Sequence, residues 1–400
     1  MALLLLGLMV CRPTRVEALG FRIPNQDAEA IARGNAFVAT ADNPSALYYN
    51  PAGITQLEGY HFQYGMHSLA VNSEFVSSTT GVRARTRSEI QPVPQFYATY
   101  SPKDRPLAFG LGIYAPYGLG LEWPENSGFR TLAIEGRLLY VTVNPVVAWR
   151  VNDQLSLAFG PTINYGDLNL RQGLIAPGDE FKFQGSDMDF GYNAGLLWRP
   201  HDQWSFGVKY HSDTTIKFNG TAHTRGVVGP IPTAASRSTV SAPFAQFGAA
   251  GVSFRPTPRW NIEADVDWTD WASLDTVVFN NTPIGNVPFA LNWKTSFLYE
   301  LGVSYAFDNG YFVGAGYFFS GNSTSDANFN PIVPDTDLHV ASLGVGYKGK
   351  RWSWAVSGQL IAGPNRQVTG STSPSLIGES ANGSYQFFNQ AINFSVGRRF

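Results

Sequence analysis

The last segment of the chain alternates between two kinds of side chain. In Ala391–Phe400 the even positions are apolar, with Arg398 as the exception, whereas the odd positions are small or polar. Successive side chains of a β-strand point to opposite faces, so this segment would have one apolar face and one wet face. The same alternation recurs along most of the chain, with almost no helical stretch. It predicts a β-barrel that spans a membrane.

The composition favours one structural unit. Glycine and the aromatic residues are spread evenly from Gly59 to the end of the 400-residue chain. After the first residues, no window has the roughly 20 apolar residues that a spanning helix requires. The formal net charge is only -2, which gives no reason to expect a nucleic-acid partner. A helical membrane protein and a nucleic-acid-binding protein are therefore both disfavoured.

Residues 1–18 are predicted to be a signal peptide. They contain a short apolar run, Ala2–Val10, and end in Val16-Glu17-Ala18, whose small residues at alternate positions suit signal peptidase. The run has no basic start, which leaves open an initiator further upstream. Cys11 is the one cysteine of the chain and falls within this segment, where Met9-Val10 makes a poor lipoprotein signal. A mature chain from about Leu19 would have no disulfide or thiolate chemistry.

Residues 59–400 are predicted to form an all-β domain, a 14-stranded antiparallel transmembrane barrel. The alternating segments number 14, and single-chain bacterial barrels have an even number of strands. The predicted strands are Gly59–Val71, Val93–Ser101, Leu107–Tyr114, Leu138–Val151, Leu155–Asn169, Met188–Arg199, Trp204–Phe218, Gln246–Arg255, Trp260–Trp268, Thr295–Phe307, Tyr311–Phe319, His339–Tyr347, Arg351–Ile361 and Gln390–Phe400.

Tight turns and longer connections alternate between these strands. The tight ones, such as Asn152-Asp153-Gln154 and Asp308-Asn309-Gly310, use residues that favour turn conformations. The longer ones, such as Asn219–Pro243 and Ser320–Leu338, are rich in Gly, Ser, Thr, Asn and Pro. An up-and-down barrel with short periplasmic turns and long extracellular loops has this rhythm, and both of its chain ends are periplasmic.

The position of charged and aromatic residues supports a membrane barrel. Glu263, Asp265 and Asp267 share one face of a strand, and lipid cannot receive three carboxylates, so this face is predicted to line the lumen. A soluble sandwich or propeller is the alternative, since its strands also alternate. Six tryptophans lie near predicted strand ends, as in an aromatic girdle. They are Trp149, Trp198, Trp204, Trp260, Trp352 and Trp354.

Residues 19–58 do not alternate. The stretch Asn25–Ala36 favours a short helix with a glycine near its end, and turn sequences follow it. A segment of this length cannot build its own core, so we predict a plug inside the barrel. A disordered periplasmic tail is the alternative, but the segment is too apolar for that. Its large apolar residues are Phe21, Ile23, Phe37, Leu47, Tyr48 and Tyr49.

Several short motifs, in this order along the chain, resemble those of the FadL/TodX family of outer-membrane transporters for long-chain fatty acids and other hydrophobic compounds. The motifs are Gly20-Phe21, Asn50-Pro51-Ala52, Tyr117-Gly118-Leu119, Asn144-Pro145, Asp267-Trp268-Thr269-Asp270-Trp271 and Val333-Pro334-Asp335-Thr336-Asp337. The resemblance covers essentially the whole mature chain and implies a monomeric barrel in the bacterial outer membrane. It further implies a hatch that closes the periplasmic end, a hydrophobic ligand bound in the lumen, and exit through the barrel wall.

The resemblance also implies candidate site residues. Phe21 and Asn50-Pro51-Ala52 of the hatch would contribute to the ligand site, and Ala115-Pro116-Tyr117-Gly118 would form a kink in the third strand that opens a lateral gate. Pro116 cannot donate a ladder hydrogen bond and Gly118 relaxes the backbone beside it, which gives the kink a physical cause. The alternative is that Pro116 merely ends the strand at the extracellular rim.

A carboxylate ligand would favour a cation in an apolar lumen. Lys209 faces inward by parity, and Lys294 is placed to cap the tenth strand near the loops. The alternative is that Glu263, Asp265 and Glu300 neutralise Lys209 and Arg150 in a structural ion network.

The chain ends and surface suggest further partners. The terminal aromatic Phe400 is the kind of signal that the outer-membrane assembly machinery reads. Three arginines alternate in the first loop, namely Arg83, Arg85 and Arg87. They would either bind the phosphate groups of lipopolysaccharide or be surface charges without a specific partner.

Two other functions are weighed against transport. A lipid hydrolase needs Ser, His and a polar orienting group held together, but His211-Ser212 would point to opposite faces of a strand. The remaining histidines are scattered without metal-ligand spacing, so no metal or cofactor is expected. A porin of broad specificity is the third possibility.

Overall fold

A closed antiparallel barrel forms because the alternating segments pair with their neighbours along the chain. The computed structural model describes residues 20–227, 229–372, 375 and 377–400; the predicted signal peptide lies outside them. Among these residues no helix has the length and apolar character needed to cross a bilayer. The helical elements are α1 (Ala28–Ala32), α2 (Ala46–Tyr49) and the 3-10 helices Pro51–Gln56 and Trp271–Ser273.

The described chain contains 22 strand segments in one sheet. They are β1 (Gly59–Val71), β2 (Ser73–Ser77), β3 (Arg83–Arg85), β4 (Glu89–Ser101), β5 (Leu107–Tyr114), β6 (Gly118–Glu122), β7 (Glu135–Arg150), β8 (Leu155–Gly173), β9 (Glu180–His201), β10 (Trp204–His211), β11 (Thr214–Arg225), β12 (Ala234–Phe244), β13 (Phe247–Phe254), β14 (Trp260–Thr269), β15 (Thr276–Thr282), β16 (Gly285–Ala290), β17 (Ser296–Ala306), β18 (Tyr311–Ser320), β19 (Leu338–Lys348), β20 (Trp352–Ala362), β21 (Arg366–Val368) and β22 (Gly383–Arg399).

These segments make a closed 14-stranded antiparallel barrel, as the sequence predicts. Eight barrel strands consist of two consecutive segments, namely β1/β2, β3/β4, β5/β6, β10/β11, β12/β13, β14/β15, β16/β17 and β20/β21. The first and last strands close the ring in a register that runs from His61↔Arg399 to Ala70↔Gln390. The short turns and the chain terminus Phe400 share one end of the barrel, the turn end; the longer connections share the loop end.

The prediction of a loop over Asn219–Pro243 is wrong. β11 and β12 continue as a hairpin whose register runs from Thr214↔Phe244 to Thr224↔Ala234. Composition suggested a loop, but the stretch contains Thr and Val, which favour strands, and ladder hydrogen bonds join backbones irrespective of side chain. The connection itself is therefore shorter than the sequence suggests.

The outer surface carries an apolar belt. Ile90, Phe190, Leu343 and Ile392 are each about 70% exposed, at 72%, 70%, 69% and 69% respectively. On β22 the side chains of Asn393 and Ser395 are buried inside while the apolar neighbours face out. The six tryptophans predicted to form a girdle are all exposed, and they lie at the turn end of their strands. This surface suits a bilayer.

Residues 20–58, the N-terminal segment, cross the interior of the barrel. α1 packs against β18, β19, β20 and β22, whereas the 3-10 helix Pro51–Gln56 packs against the opposite strands β7, β8 and β9. Asp27 is the N-cap of α1 and accepts a hydrogen bond from the Ala30 amide. Phe37, Leu47 and Tyr48 are fully buried. Packing against two sides of the wall is what keeps so short a segment ordered.

Candidate functional site

The barrel wall has a gap between its second and third strands. β4 pairs with β1 along its whole length, from Glu89 to Ser101, but it pairs with β5 only from Phe96↔Ile113 to Tyr100↔Phe109. Among the described pairings, β6 is joined to β7 and not to β4. The two strands meet again where the Gln91 side chain donates to the Gly120 carbonyl.

The gap lies at the predicted kink. β5 ends at Tyr114 and β6 begins at Gly118, so Ala115-Pro116-Tyr117 interrupts the third strand in its middle. Because the strand resumes, the alternative that Pro116 only ends it at the rim is wrong. On the facing strand Pro92 and Pro94 also lack the N–H that a ladder needs.

The N-terminal segment covers the gap from inside. The Gly118 amide donates to the Phe21 carbonyl at 3.0 Å, and the Ile23 amide donates to the Pro116 carbonyl at 2.8 Å. The Gln26 side chain donates to the Ala115 carbonyl at 2.8 Å. These bonds satisfy the backbone groups of the kink that the second strand leaves unpaired. A Cβ atom on Gly118 would lie 2.8 Å from the Ile23 side chain, so glycine allows this close approach.

Phe21 occupies an aromatic cage at the inner face of the gap. Its ring centroid lies 4.8 Å from that of Trp271, 5.5 Å from Trp293, and 5.9 Å from both Tyr117 and Phe244. These distances and the tilted or edge-on ring planes are those of favourable aromatic pairs. The predicted site residue Phe21 is thus held by the kink residue Tyr117.

Two cavities meet at Phe21. The apolar cavity, of about 100 Å³, lies in the loop half of the lumen between Leu138, Phe218 and Phe279. The gap cavity, of about 190 Å³, reaches the gap residues Gln91 and Gly118. Phe21, Leu119 and Val333 line both cavities. The ring of Phe21 therefore stands between an apolar chamber and the opening in the wall.

A buried ion network lies below the cage. The Arg22 guanidinium donates to both carboxylate oxygens of Asp267, at 2.5 and 2.7 Å, and to Thr269 Oγ1 at 2.7 Å. Its Cζ lies 3.8 Å from the centroid of Phe247, a cation–π geometry. Lys209 Nζ is 3.6 Å from Asp267 Oδ2 and is almost fully buried. Both cations therefore share the single carboxylate of Asp267.

The other carboxylates of this strand bind the N-terminal segment. Glu263 accepts from the Arg33 guanidinium at 2.8 Å and from the Ala39 and Thr40 amides at 2.7 and 3.1 Å. Asp265 accepts from the amides of residues 37 and 38 at 2.8 and 2.9 Å. The inward placement of these carboxylates agrees with the parity prediction. Their main partners, Arg22 and Arg33, were missed because both lie in the segment without alternation.

Asn50-Pro51-Ala52 serves to dock the N-terminal segment. The Asn50 side chain donates to the Val38 carbonyl at 2.8 Å and to the Leu196 carbonyl of β9 at 2.9 Å. Its Oδ1 accepts from the Ala52 amide, and Pro51 takes the first position of the 3-10 helix. None of the three lines the apolar or the gap cavity. The motif therefore lies away from the cage that holds Phe21.

The remaining candidate residues are dispersed. Lys294 is exposed, precedes β17 and lines neither cavity. Arg150 donates to the Thr55 carbonyl rather than joining the ion network. Arg85 and Arg87 form exposed ion pairs with Glu74 and with Glu89 and Glu122, respectively, while Arg83 is exposed.

The hydrolase geometry does not form at His211. The ring of His211 is buried and stacks on Phe247 at a centroid distance of 4.4 Å. Ser212 Oγ instead accepts a hydrogen bond from the Tyr192 amide at 3.0 Å. Within the described residues, no group of three or more His, Cys, Asp and Glu is arranged to hold a metal ion.

Comparison with known proteins agrees with this architecture. Residues 9–353 match the family described as outer membrane protein transport protein (OMPP1/FadL/TodX). The chain belongs to this family. Members of the family are outer-membrane transporters rather than enzymes, and this chain is an outer-membrane β-barrel protein.

Relatives of this protein are similar along most of its length. The long-chain fatty acid transport protein of Salmonella typhi is 22% identical over 372 residues, which cover 84% of this chain and 85% of the relative. A solved FadL homologue from Pseudomonas aeruginosa covers 96% of this chain and 100% of its own, with a TM-score of 0.85 at 17% identity. The toluene transporter TodX of Pseudomonas putida covers 97% of this chain and 100% of its own, with a TM-score of 0.75 at 16% identity.

Proposed function

We propose that this protein carries hydrophobic compounds across the outer membrane and releases them sideways through the gap between β4 and β6. The observation that carries the proposal is that the apolar cavity and the gap cavity share a wall, formed by Phe21, Leu119 and Val333, and that the gap cavity reaches the opening. Of these three residues, Phe21 belongs to the N-terminal segment. The names of the relatives support the compound class, since they include transporters of long-chain fatty acids and of toluene.

Lateral release has a physical rationale. A hydrophobic compound that leaves the apolar cavity sideways enters lipid, so it never exposes its apolar surface to water on the far side. Burial of apolar surface favours this route by roughly 25 cal/mol per Å². An exit through the turn end would instead cross the charged contacts of Asp267 and Glu263. The wall gap is thus the lower-energy way out.

In this proposal the N-terminal segment acts as a hatch. Residues Phe21–Ile23 are hydrogen-bonded to the kink, so they must shift before a ligand passes from the lumen to the gap. The rest of the hatch is fixed by Asn50, Glu263 and Asp265 and can remain in place. Displacement is confined to the few residues before Gln26, which keeps the turn end closed to water-soluble compounds.

A reversible crosslink across the gap tests lateral release. The described chain has no cysteine, so Gln91→Cys combined with Gly120→Cys introduces one defined pair, at a place where the Gln91 side chain already contacts the Gly120 backbone. We expect oxidation to abolish uptake of radiolabelled toluene and hexadecanoate by cells that depend on this protein, and reduction to restore it. Crosslink formation is checked by mass spectrometry of the purified barrel.

A second pair controls for the crosslink itself. Ala98→Cys with Leu111→Cys joins the same two strands where they are already in register, Ala98↔Leu111. Its oxidation should leave uptake unchanged. Undiminished uptake with the gap crosslinked would exclude the lateral route. Uptake of sugars into liposomes containing the protein would instead support a porin.

A further inference from the structure

We propose that the turn end of the barrel binds the phosphate group of an anionic glycerophospholipid from the periplasmic leaflet of the outer membrane. Three arginines form the site, namely Arg351, Arg398 and Arg399, which we call the rim arginines. They lie beside the seam where the last strand, β22, pairs with β1 and with β20. The site concerns the rim of the barrel and does not depend on the proposed function.

Arg398 is a charged residue on the lipid-facing side of β22. Ile392 and Val396, on the same side of this strand, are exposed on the outer surface, and so is Arg398. Arg398 is paired with Trp352 of β20 on one side and with Phe62 of β1 on the other. Because Trp352 belongs to the tryptophan girdle, Arg398 lies at the height of the lipid headgroups, where a charged side chain is tolerated.

Aromatic rings hold the guanidinium of Arg398 in place. Its Cζ lies 4.9 Å from the ring centroid of Trp352 and 4.5 Å from that of Phe400, which are cation–π distances. Phe400 in turn makes an edge-on contact with Phe62, at a centroid distance of 5.8 Å. Rings cover the faces of a guanidinium, whereas its N–H groups donate in the plane. Among the described residues, no carboxylate pairs with Arg398.

The other two rim arginines adjoin Arg398 at one cavity. The Arg399 amide donates to the Arg351 carbonyl at 2.8 Å, so the two backbones are hydrogen-bonded neighbours. All three arginines line a cavity of about 430 Å³ at the turn end. Arg351 and Arg399 are exposed, and neither forms an ion pair in the part of the chain that the structure describes. The cavity therefore presents guanidinium groups whose charge this part of the protein does not compensate.

Two of the carboxylates in this cavity are engaged by a different cation. Lys348 Nζ lies 2.6 Å from Glu29 and 3.4 Å from Asp42, both of which belong to the N-terminal segment. Glu58 is the third carboxylate of the lining and forms no ion pair with a rim arginine. Together with Lys348, the rim arginines give the lining four cations against three carboxylates. The cavity thus keeps an excess of positive charge.

Arginines at the loop end are arranged differently. Arg137 lies 2.6 Å from Glu135, and Arg87 lies 3.5 Å from both Glu89 and Glu122. The protein itself supplies the counter-charge to these exposed arginines. At the rim arginines, the counter-charge has to come from a partner outside the described chain.

A phospholipid headgroup meets this requirement at the right height. The short turns of such barrels are periplasmic, so the turn end contacts the leaflet that consists of glycerophospholipids. Arginine donates two parallel hydrogen bonds to a phosphate, and basic pockets at a membrane surface bind anionic headgroups. The acyl chains of the same lipid would lie on the exposed apolar side chains of β22 and β1, such as Val396 and Tyr64.

Lipid binding by the purified full-length protein tests the site. The protein in detergent is titrated with phosphatidylglycerol or with phosphatidylcholine of the same acyl chains, and bound lipid is counted by native mass spectrometry. We expect the first phosphatidylglycerol to bind at least about tenfold more tightly than phosphatidylcholine, or 1.4 kcal/mol. The rim variant, with Arg351→Gln, Arg398→Gln and Arg399→Gln, should lose this preference.

A second triple variant controls for the loss of charge. Lys103→Gln, Arg105→Gln and Arg259→Gln remove the same amount of charge from other turns at the turn end, where all three side chains are exposed. This control variant should keep the preference for phosphatidylglycerol. Uptake of hydrophobic compounds should be equal in the two variants, so the result is independent of the proposed function.

Several outcomes would overturn the site. They are equal binding of the two lipids by the unmodified protein, an equal loss of preference in both triple variants, and displacement of phosphatidylglycerol by millimolar inorganic phosphate. If the rim variant does not fold, Arg398→Lys keeps the charge but not the planar guanidinium on the rings. It should weaken phosphatidylglycerol binding several-fold, and unchanged binding would contradict the role of Arg398.

Discussion

The two halves of the lumen are built from opposite kinds of side chain. In the loop half, the apolar cavity is lined by Leu, Phe, Val and Ile. At the turn end, a cavity of about 430 Å³ lies beside the N-terminal segment and is lined partly by Glu29, Asp42, Lys348 and Arg351. Lys348 Nζ lies 2.6 Å from Glu29 and 3.4 Å from Asp42 there. Charge is concentrated where the segment is attached, and it is absent from the lining of the apolar chamber.

This contrast separates attachment from ligand binding. Directional ion pairs and hydrogen bonds fix the register of the N-terminal segment against the wall, whereas apolar contacts accept ligands of different shape. The boundary falls between two adjacent residues. Arg22 reaches into the ion network while Phe21 inserts into the aromatic cage. Substitutions on the two sides of this boundary should therefore have different consequences, one for docking and the other for ligand size.

The largest effect is expected at Glu263. Its carboxylate holds Arg33 and accepts from the amides of Ala39 and Thr40, so Glu263→Ala leaves a buried guanidinium without a counter-charge. We expect the free energy of opening of the N-terminal segment to fall by about 3–5 kcal/mol. Hydrogen exchange of the Ala39 and Thr40 amides, measured by mass spectrometry, gives that free energy. Binding of toluene should persist in those molecules of the variant in which the segment stays docked.

An exposed ion pair provides the matched control. Arg259 and Asp308 approach as closely as Arg33 and Glu263, at 2.6 against 2.8 Å, but they lie at the surface of the turn end. Asp308→Ala should leave the opening of the segment unchanged, because water screens exposed pairs. Equal protection of Ala39 in the unmodified protein and in Glu263→Ala would show that the network does not anchor the segment.

A smaller, pH-dependent effect is expected at Asp27. Its carboxylate accepts from Gln63 at 2.5 Å and from Asn43 at 2.9 Å. Burial, and next the charge of Glu29, raise the pKa of Asp27 from 3.8 to about 6. At pH values between these two, the protein with the N-terminal segment docked binds more protons than the protein with the segment undocked. Docking of the segment therefore weakens as the pH rises from about 4 to about 6. The total loss of docking free energy is about 3 kcal/mol, at 1.36 kcal/mol per pKa unit.

Hydrogen exchange of the Ile31 amide, corrected for intrinsic rates, should therefore show weaker protection at pH 7 than at pH 5. Asp27→Asn should abolish that difference. Asp42 gives a control of opposite sign. Burial alone would raise the pKa of Asp42, but Lys348, Arg255 and Arg33 outweigh burial and lower the pKa, so Asp42→Asn should weaken docking of the segment at neutral pH. If neither substitution altered the pH profile, these two carboxyl groups would not be the ones that set the pH dependence of docking.

The sequence predicts the barrel well because the two-residue alternation of side chains can be seen within each strand, without knowledge of its neighbours. Alternation along the strand predicted that the side chains of Glu263 and Asp267 face the lumen, and turn residues marked where one strand ends and the next begins. Pro116 pointed to an interruption of its own strand for the same reason, since a missing N–H acts locally. What the local pattern left open was whether the strand resumes, which depends on pairing with β7, a contact made across the sheet.

The site could be foreseen only in part because it is assembled from distant residues. Arg22 and Asp267 are 245 positions apart, and residues 19–58 have no alternation from which to deduce the direction of a side chain. The cage residues Trp271 and Trp293 lie outside regular strands as well. Lys209 was placed inside correctly, yet its partner Asp267 was not identified, because parity gives the face of a strand and not the neighbour.

The smallest effect is expected at Phe21, and it concerns selectivity. Phe21→Ala removes the ring that lines both the apolar and the gap cavity, so the two should merge into one chamber. We expect binding of naphthalene to increase about tenfold, or 1.4 kcal/mol, and binding of toluene to change little. The measurement is the equilibrium binding of both compounds to the purified protein in detergent.

Phe21→Leu is the control, since it keeps an apolar group in the cage and should give an intermediate preference for the larger ring system. The substitution leaves Arg22 and its contacts with Asp267 in place, so protection of the Ala39 amide should remain as in the unmodified protein. A loss of that protection in Phe21→Ala would show that the cage also anchors the segment. Phe21 would then serve both attachment and ligand binding, and the two functions would not be separated between the two halves of the lumen.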